Sequence, residues 1–106
     1  MTEQKLTIGL FDKDTEAQEI STETGKKIIA ECLINKFDIF AFTMYECNGV
    51  YKMASTGNIV YEPSIRVEIV TEKPLENIND IITYLKVRLN QESIMLETSE
   101  KDIIFA

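Results

Sequence analysis

The chain has 106 residues, 44% of them hydrophobic and none of them histidine, and its eleven basic and eighteen acidic side chains leave a net charge of −7. Such a length suits one domain over residues 1–106, with a core large enough to need neither disulfide nor metal. The acidic balance argues against direct nucleic-acid binding, and no apolar run reaches the roughly 20 residues of a membrane span. The missing histidine removes the commonest general base and zinc ligand together.

Leu6, Ile8 and Leu10 alternate with Thr7, Gly9 and Phe11 and predict a first strand. A polar stretch, Asp12–Glu19, leads to Ser21, a fitting N-cap, with Glu23 suited to the positive end of a helix. Ile28, Ile29, Cys32, Leu33 and Phe37 follow at helical spacing and predict a helix over Thr22–Lys36. The period then changes. Asp38–Cys47 carries apolar or aromatic groups on both parities and reads as a strand covered on both sides. Asn48-Gly49 reads as a tight turn or bulge, Val50–Met53 as renewed strand, and Ala54–Asn58 as a hairpin loop.

A third strand is predicted over Ile59–Val70, with Pro63 at a bulge or an unpaired edge because it donates no ladder hydrogen bond. Pro74 suits the first turn of a second helix, whose stripe is Leu75, Ile78, Ile81, Ile82, Leu85 and Leu89. A last strand at Ile94–Thr98 and a short extended piece at Asp102–Phe105 complete the chain. Strand, helix, strand, strand, helix, strand is the order of a ferredoxin-like α+β plait, an antiparallel sheet with two helices on one face.

That plait leaves the other sheet face bare. With Phe40, Phe42 and Met44 turned to the helices, the bare face would present Ile39, Ala41, Thr43 and Tyr45. Monomers seldom leave such a patch in water, so a homodimer closed by a two-fold contact is expected, unless the C-terminal extension folds over it.

Few constellations carry chemistry. Asp12, Asp14, Glu16 and Glu23 have something of a calcium loop's spacing, but Ala17 stands where glycine is required and a strand precedes the loop, so no metal site is expected. Cys32 and Cys47 lack any CxxC spacing and are expected as free thiols in a reducing cytoplasm. Neither a phosphate loop nor a nucleophile elbow is present, and no catalytic residue or cofactor stands out. Tyr45, Tyr51 and Tyr61 cluster around the central hairpin, each a flat surface with a polar tip. With Glu62 and Arg66 they form the expected binding surface. Arg66 reads either as a holder of carboxylate or phosphate or as half of a cross-strand ion pair.

The segments TIGLFDKDT, GVYKMASTGNIVYEPSIRVEIV and NQESIMLE resemble a family of small bacterial and phage proteins known as a domain of unknown function. The likeness runs over most of the chain, implies a compact α+β fold and transfers no catalytic residue. Envelope members of that family carry a signal peptide, which this chain lacks, so the resemblance implies a cytoplasmic protein encoded by a phage or mobile element. Small acidic proteins of this kind resemble phage accessory products, including inhibitors of host defence. The expected function is therefore a non-enzymatic binder of a host protein, acting through an acidic, tyrosine-bearing surface. The alternatives are a small dimeric enzyme using a carboxylate or tyrosine, a sponge for a small nucleotide ligand, and a virion or assembly component.

Overall fold

A computed structural model describes residues 1–106. Its elements are β1 (Thr2–Gly9), α1 (Thr22–Glu31) running on into a π-helical turn (Cys32–Lys36), β2 (Thr43–Lys52), β3 (Ile59–Thr71), α2 (Ile78–Arg88) and β4 (Met95–Glu100). The four strands lie in the order β2-β3-β1-β4, and every neighbouring pair is antiparallel. This is the expected ferredoxin-like α+β plait. No helix is long and apolar enough to cross a membrane.

Alternation in the two central strands builds the core. Leu6 and Ile8 from β1 and Ile65, Val67 and Ile69 from β3 share one buried cluster with Ile29 and Leu33 and with Ile81 and Leu85. Both helical segments therefore cover the same sheet face. Ser21 caps α1 as its type requires, its Oγ accepting from the Thr24 N–H at 3.0 Å. Gly25 lets α1 approach closely, since a Cβ there would lie 3.1 Å from Leu10 Cδ2 and 3.3 Å from Ile65 Cδ1.

The main departure from the sequence pattern lies at residues 38–42. The helix ends in a widened turn, with the Phe37 N–H on the Cys32 carbonyl at 3.2 Å and Asp38 in the left-handed region at φ 56°. Ile39 then donates its N–H to the Leu33 carbonyl at 2.9 Å and buries its side chain in the core. These residues belong to a helix terminus, so their side chains do not alternate across a sheet. Phe40, expected against the helices, is 77% exposed, and Ile39 is absent from the bare face. Phe42 and Met44 do pack on the core, while Ala41, Thr43 and Tyr45 are exposed.

Two other local signals resolve differently. Asn48-Gly49 is neither turn nor bulge but sits in register opposite Pro63 and Glu62, and the chain reverses later, through Met53–Asn58. Pro74 precedes α2 without entering it. The Leu75 N–H is taken by the buried Gln4 side chain at 3.0 Å, and α2 starts only after Asn77. Pro63 lies in register opposite Asn48, one residue past the β1–β3 ladder, and its carbonyl accepts from the Leu10 N–H at 2.9 Å where β1 leaves the sheet.

β1 pairs only with Ser64–Thr71 of β3, whereas β2 pairs with β3 as far as Ile59. Residues 48–63 therefore project beyond the sheet as a two-stranded ribbon, which lengthens the molecule to 47 × 27 × 23 Å.

Leu85→Ala should cost about 2–5 kcal/mol, because the side chain is wholly buried and leaves a cavity. Phe40→Ala should stay within about 0.5 kcal/mol. Urea titration of both variants checks the pair, and a large loss at Phe40 would contradict its placement.

Candidate functional site

The sheet offers two places where the singled-out side chains gather, and they differ in chemistry. The first is the face turned away from the helices. Here Tyr45, Arg66 and Glu68 of β2 and β3 lie beside Lys5 of β1 and Glu97 of β4. The Tyr45 hydroxyl donates to Glu68 at 3.0 Å, and that bond, together with partial burial, pushes the phenol's pKa upward. Arg66 is held by Glu97 at 2.6 Å, Lys5 lies between Glu3 and Glu68, and Lys101 meets Glu3 at 2.9 Å. The expected apolar patch is thus a lattice of cross-strand ion pairs. Arg66 is already occupied as an ion-pair partner, the second of its two sequence readings.

The second place is the upper end of the sheet, where β1 stops and the ribbon begins. Residues Gly9 and Phe11, the loop after them, the ribbon and the segment after α2 line a half-open cavity of about 450 Å³. Glu62 is one of its acids. Its carboxylate lies over Gly9, so closely that a Cβ at position 9 would stand within 2.3 Å of Oε2. Any side chain there would push that carboxylate aside. Oε2 accepts from the Phe11 N–H at 2.9 Å, while no protein donor takes Oε1.

Phe11 is held from both sides. Its N–H meets Glu62, and its carbonyl accepts from Gln91 Nε2 at 2.8 Å. Gln91 is buried and also reaches the Leu89 carbonyl at 3.3 Å, so the end of α2 is tied to the end of β1. The loop from Phe11 closes back through the Phe11–Gln18 bridge and the Asp12 N–H on the Ala17 carbonyl. Asp12 Oδ1 accepts from the N–H groups of Asp14 and Thr15.

The cavity is acidic and has one apolar wall. Asp12, Glu16, Glu62 and Glu92 line it against the single cation Lys13, while Met53, Val60 and Tyr51 line the ribbon side. Partial burial, together with Glu62 and Glu16, raises the Tyr51 pKa, so at neutral pH the phenol keeps its proton and can donate it in a hydrogen bond. The structure therefore brings Tyr51 and Glu62 together. Tyr45 and Arg66 belong to the ion-paired face, and Tyr61 stands 65% exposed on the ribbon. Sequence reasoning missed Gly9, the Phe11 N–H, Glu92 and Gln91, and weighed Asp12 only as part of a calcium-like spacing. Their roles arise from chain ends that meet only in three dimensions.

No protein-family model matches the chain, and no curated protein matches its sequence. Solved structures do match. A phage SAM lyase in complex with S-methyl-5′-thioadenosine superposes with a TM-score of 0.65 at 20% identity, over 93% of this chain and 80% of the lyase. CutA from Synechococcus elongatus PCC7942 gives 0.62 at 13% identity, over 94% of this chain and 76% of that one. A DUF3240 family protein from Shewanella baltica OS155 gives 0.55 at 9% identity, over 99% and 97%.

At these identities the likeness establishes the fold. It sets the chain beside small phage and bacterial proteins, one of them from a family of unknown function, as the sequence resemblance implies. It also corrects the expectation of a non-enzyme. A lyase is built on this same plait, over nine-tenths of the chain, so the fold does not argue for a pure binder.

Gly9→Ala should drive the Glu62 carboxylate off the Phe11 N–H, costing about 1–3 kcal/mol in urea titration and speeding exchange of the Phe11 amide. Asp12 supplies a pH test. The Asn90 amide, then the N–H groups of Asp14 and Thr15, hold its carboxyl below the ordinary value of 3.8. The stabilisation is present above that unfolded-state value and is lost as pH falls through the lower folded value. Stability should therefore decline on acidification below about pH 4, and Asp12→Asn should flatten that decline.

Proposed function

We propose that this chain is a lyase that cleaves S-adenosylmethionine to S-methyl-5′-thioadenosine and works as a homo-oligomer. The observation that carries the reading is the charge of the cavity, four carboxylates against one lysine. S-Adenosylmethionine brings a sulfonium and an ammonium group, both attracted to such a site. Its carboxylate would meet Lys13. The apolar wall of Met53, Val60 and the Tyr51 ring offers a purine a surface to lie on. The thioether product carries no charge at sulfur and loses that attraction, which favours its release.

The chemistry follows from the product. Sulfur in S-adenosylmethionine carries a methyl, an adenosyl and an aminobutyrate group, and S-methyl-5′-thioadenosine retains the first two. The bond between sulfur and the aminobutyrate carbon breaks, and its electron pair stays on sulfur. The carbon fragment is completed in one of two ways: loss of an adjacent proton to Glu62 Oε1, or closure of its own carboxylate onto the carbon. Both balance: the elimination passes its proton to Glu62, the lactone closure takes place within the substrate, and neither needs histidine. Part of the chain's negative charge is thus gathered in a cleft suited to a cationic substrate.

The oligomer rests on the ribbon. An isolated two-stranded hairpin is marginal in water, and Val50, Ile59 and Tyr61 on this one are each more than half exposed, at 58%, 64% and 65%. A second copy would cover them, by the ribbon rather than by the ion-paired face.

Incubation with S-adenosylmethionine and chromatography should show S-methyl-5′-thioadenosine. Glu62→Gln, which keeps the shape but neither the charge nor the basicity, should lower the rate by about a hundredfold. An inactive wild-type protein would overturn the reading. The second product defines the role of Glu62: 2-aminobut-3-enoate means it takes a proton, and a lactone means it holds charge. Light scattering should return a multiple of 12.1 kDa, and a single-chain mass at high concentration would remove the oligomer.

A further inference from the structure

The residue after the C-cap of α2 is Asn90, in the left-handed region at φ 49°. Glycine is the usual occupant of this place, since it alone adopts the conformation without cost. Asparagine tolerates it, and here the amide is put to use. Asn90 Nδ2 donates to Asp12 Oδ2 and to Asp14 Oδ2, each at 2.9 Å, and the Asn90 carbonyl accepts from the Lys13 N–H at 3.0 Å. Two carboxylates that would repel each other are thus drawn to one donor.

Asn90 does not line the cavity, but Asp12 and Phe11 do. Phe11 directly precedes the clamped loop, and its N–H is the group that holds Glu62 Oε2. We propose that Asn90 is a positioning residue: its amide fixes the Asp12–Asp14 loop so that the Phe11 N–H stays aimed at the Glu62 carboxylate. This deepens the lyase reading and rests on it only for the catalytic consequence. The structural part stands on the hydrogen bonds alone.

Asn90→Gly tests it cleanly, because glycine keeps or improves the backbone fit and removes only the clamp. Asn90→Asp replaces the donor by a third carboxylate and should act in the same direction more strongly. In both variants the Phe11 amide should shift its NMR resonance and exchange at least about tenfold faster. Amides of the β1–β3 ladder such as Leu6 should hold their rates. With S-adenosylmethionine as substrate, kcat/KM should fall about ten- to a hundredfold, the scale expected of a small misplacement. An unchanged Phe11 amide in Asn90→Gly overturns the proposal, as does faster exchange spread evenly over the whole sheet, which would mark a merely structural role. If the wild-type protein cleaves no S-adenosylmethionine, the lyase reading fails while the Phe11 amide still decides the role of Asn90.

Discussion

The end of β1 governs this molecule. Up to Thr7 the strand is flanked on both sides, Ile8 and Gly9 pair with β3 alone, and beyond them the sheet narrows to the ribbon of β2 and β3. One carboxylate occupies the step so formed. Glu62 lies over the glycine that makes room for it and takes the N–H of Phe11, a backbone donor that has left the ladder. A buried or half-buried donor left without a partner costs more than a good hydrogen bond returns, so this contact decides the path of the chain after β1. The loop, the segment after α2 and the base of the ribbon all take their places around it.

Much of the architecture is legible in local pattern. Strict alternation marks β1 and β3, Ser21 marks the start of α1, and the stripe through Ile78, Ile81 and Leu85 marks α2. Residues 38–42 mislead because the same apolar composition serves a helix terminus as well as a strand. A π-type turn moves the exit of the chain by one residue, and nothing in side-chain periodicity reports that. Asn48-Gly49 misleads for a similar reason: a turn-forming pair stays extended when tertiary pairing outweighs its propensity. The candidate site was half legible. Tyr51 and Glu62 stand out as an aromatic and an acid beside a hairpin, but Gln91 and Asp12 lie some eighty positions apart and meet only through α2 and β1.

Charge is divided between two uses. On the open sheet face acids and bases alternate and cancel, with Arg66 on Glu97 and Lys101 on Glu3. Such half-exposed pairs specify register and solubility more than they stabilise. In the cavity the acids outnumber the base, and the surplus is left uncompensated. The fold thus neutralises carboxylates on one surface and concentrates them in a hollow, where they set up a negative field.

The strand order has a consequence for how the protein reaches this state. β1, the first strand in the chain, pairs with β3 on one side and with β4, the last, on the other. It therefore cannot be fully paired until the final residues are present, and a nascent chain must keep that apolar segment waiting. Contacts between residues so distant in sequence carry a loop-closure cost before they return anything, which makes such a plait slower to fold than a helical bundle. The ion pairs of Lys5 and Lys101 around Glu3 sit at this late seam, where charged side chains discourage the waiting strand from pairing with a neighbouring chain.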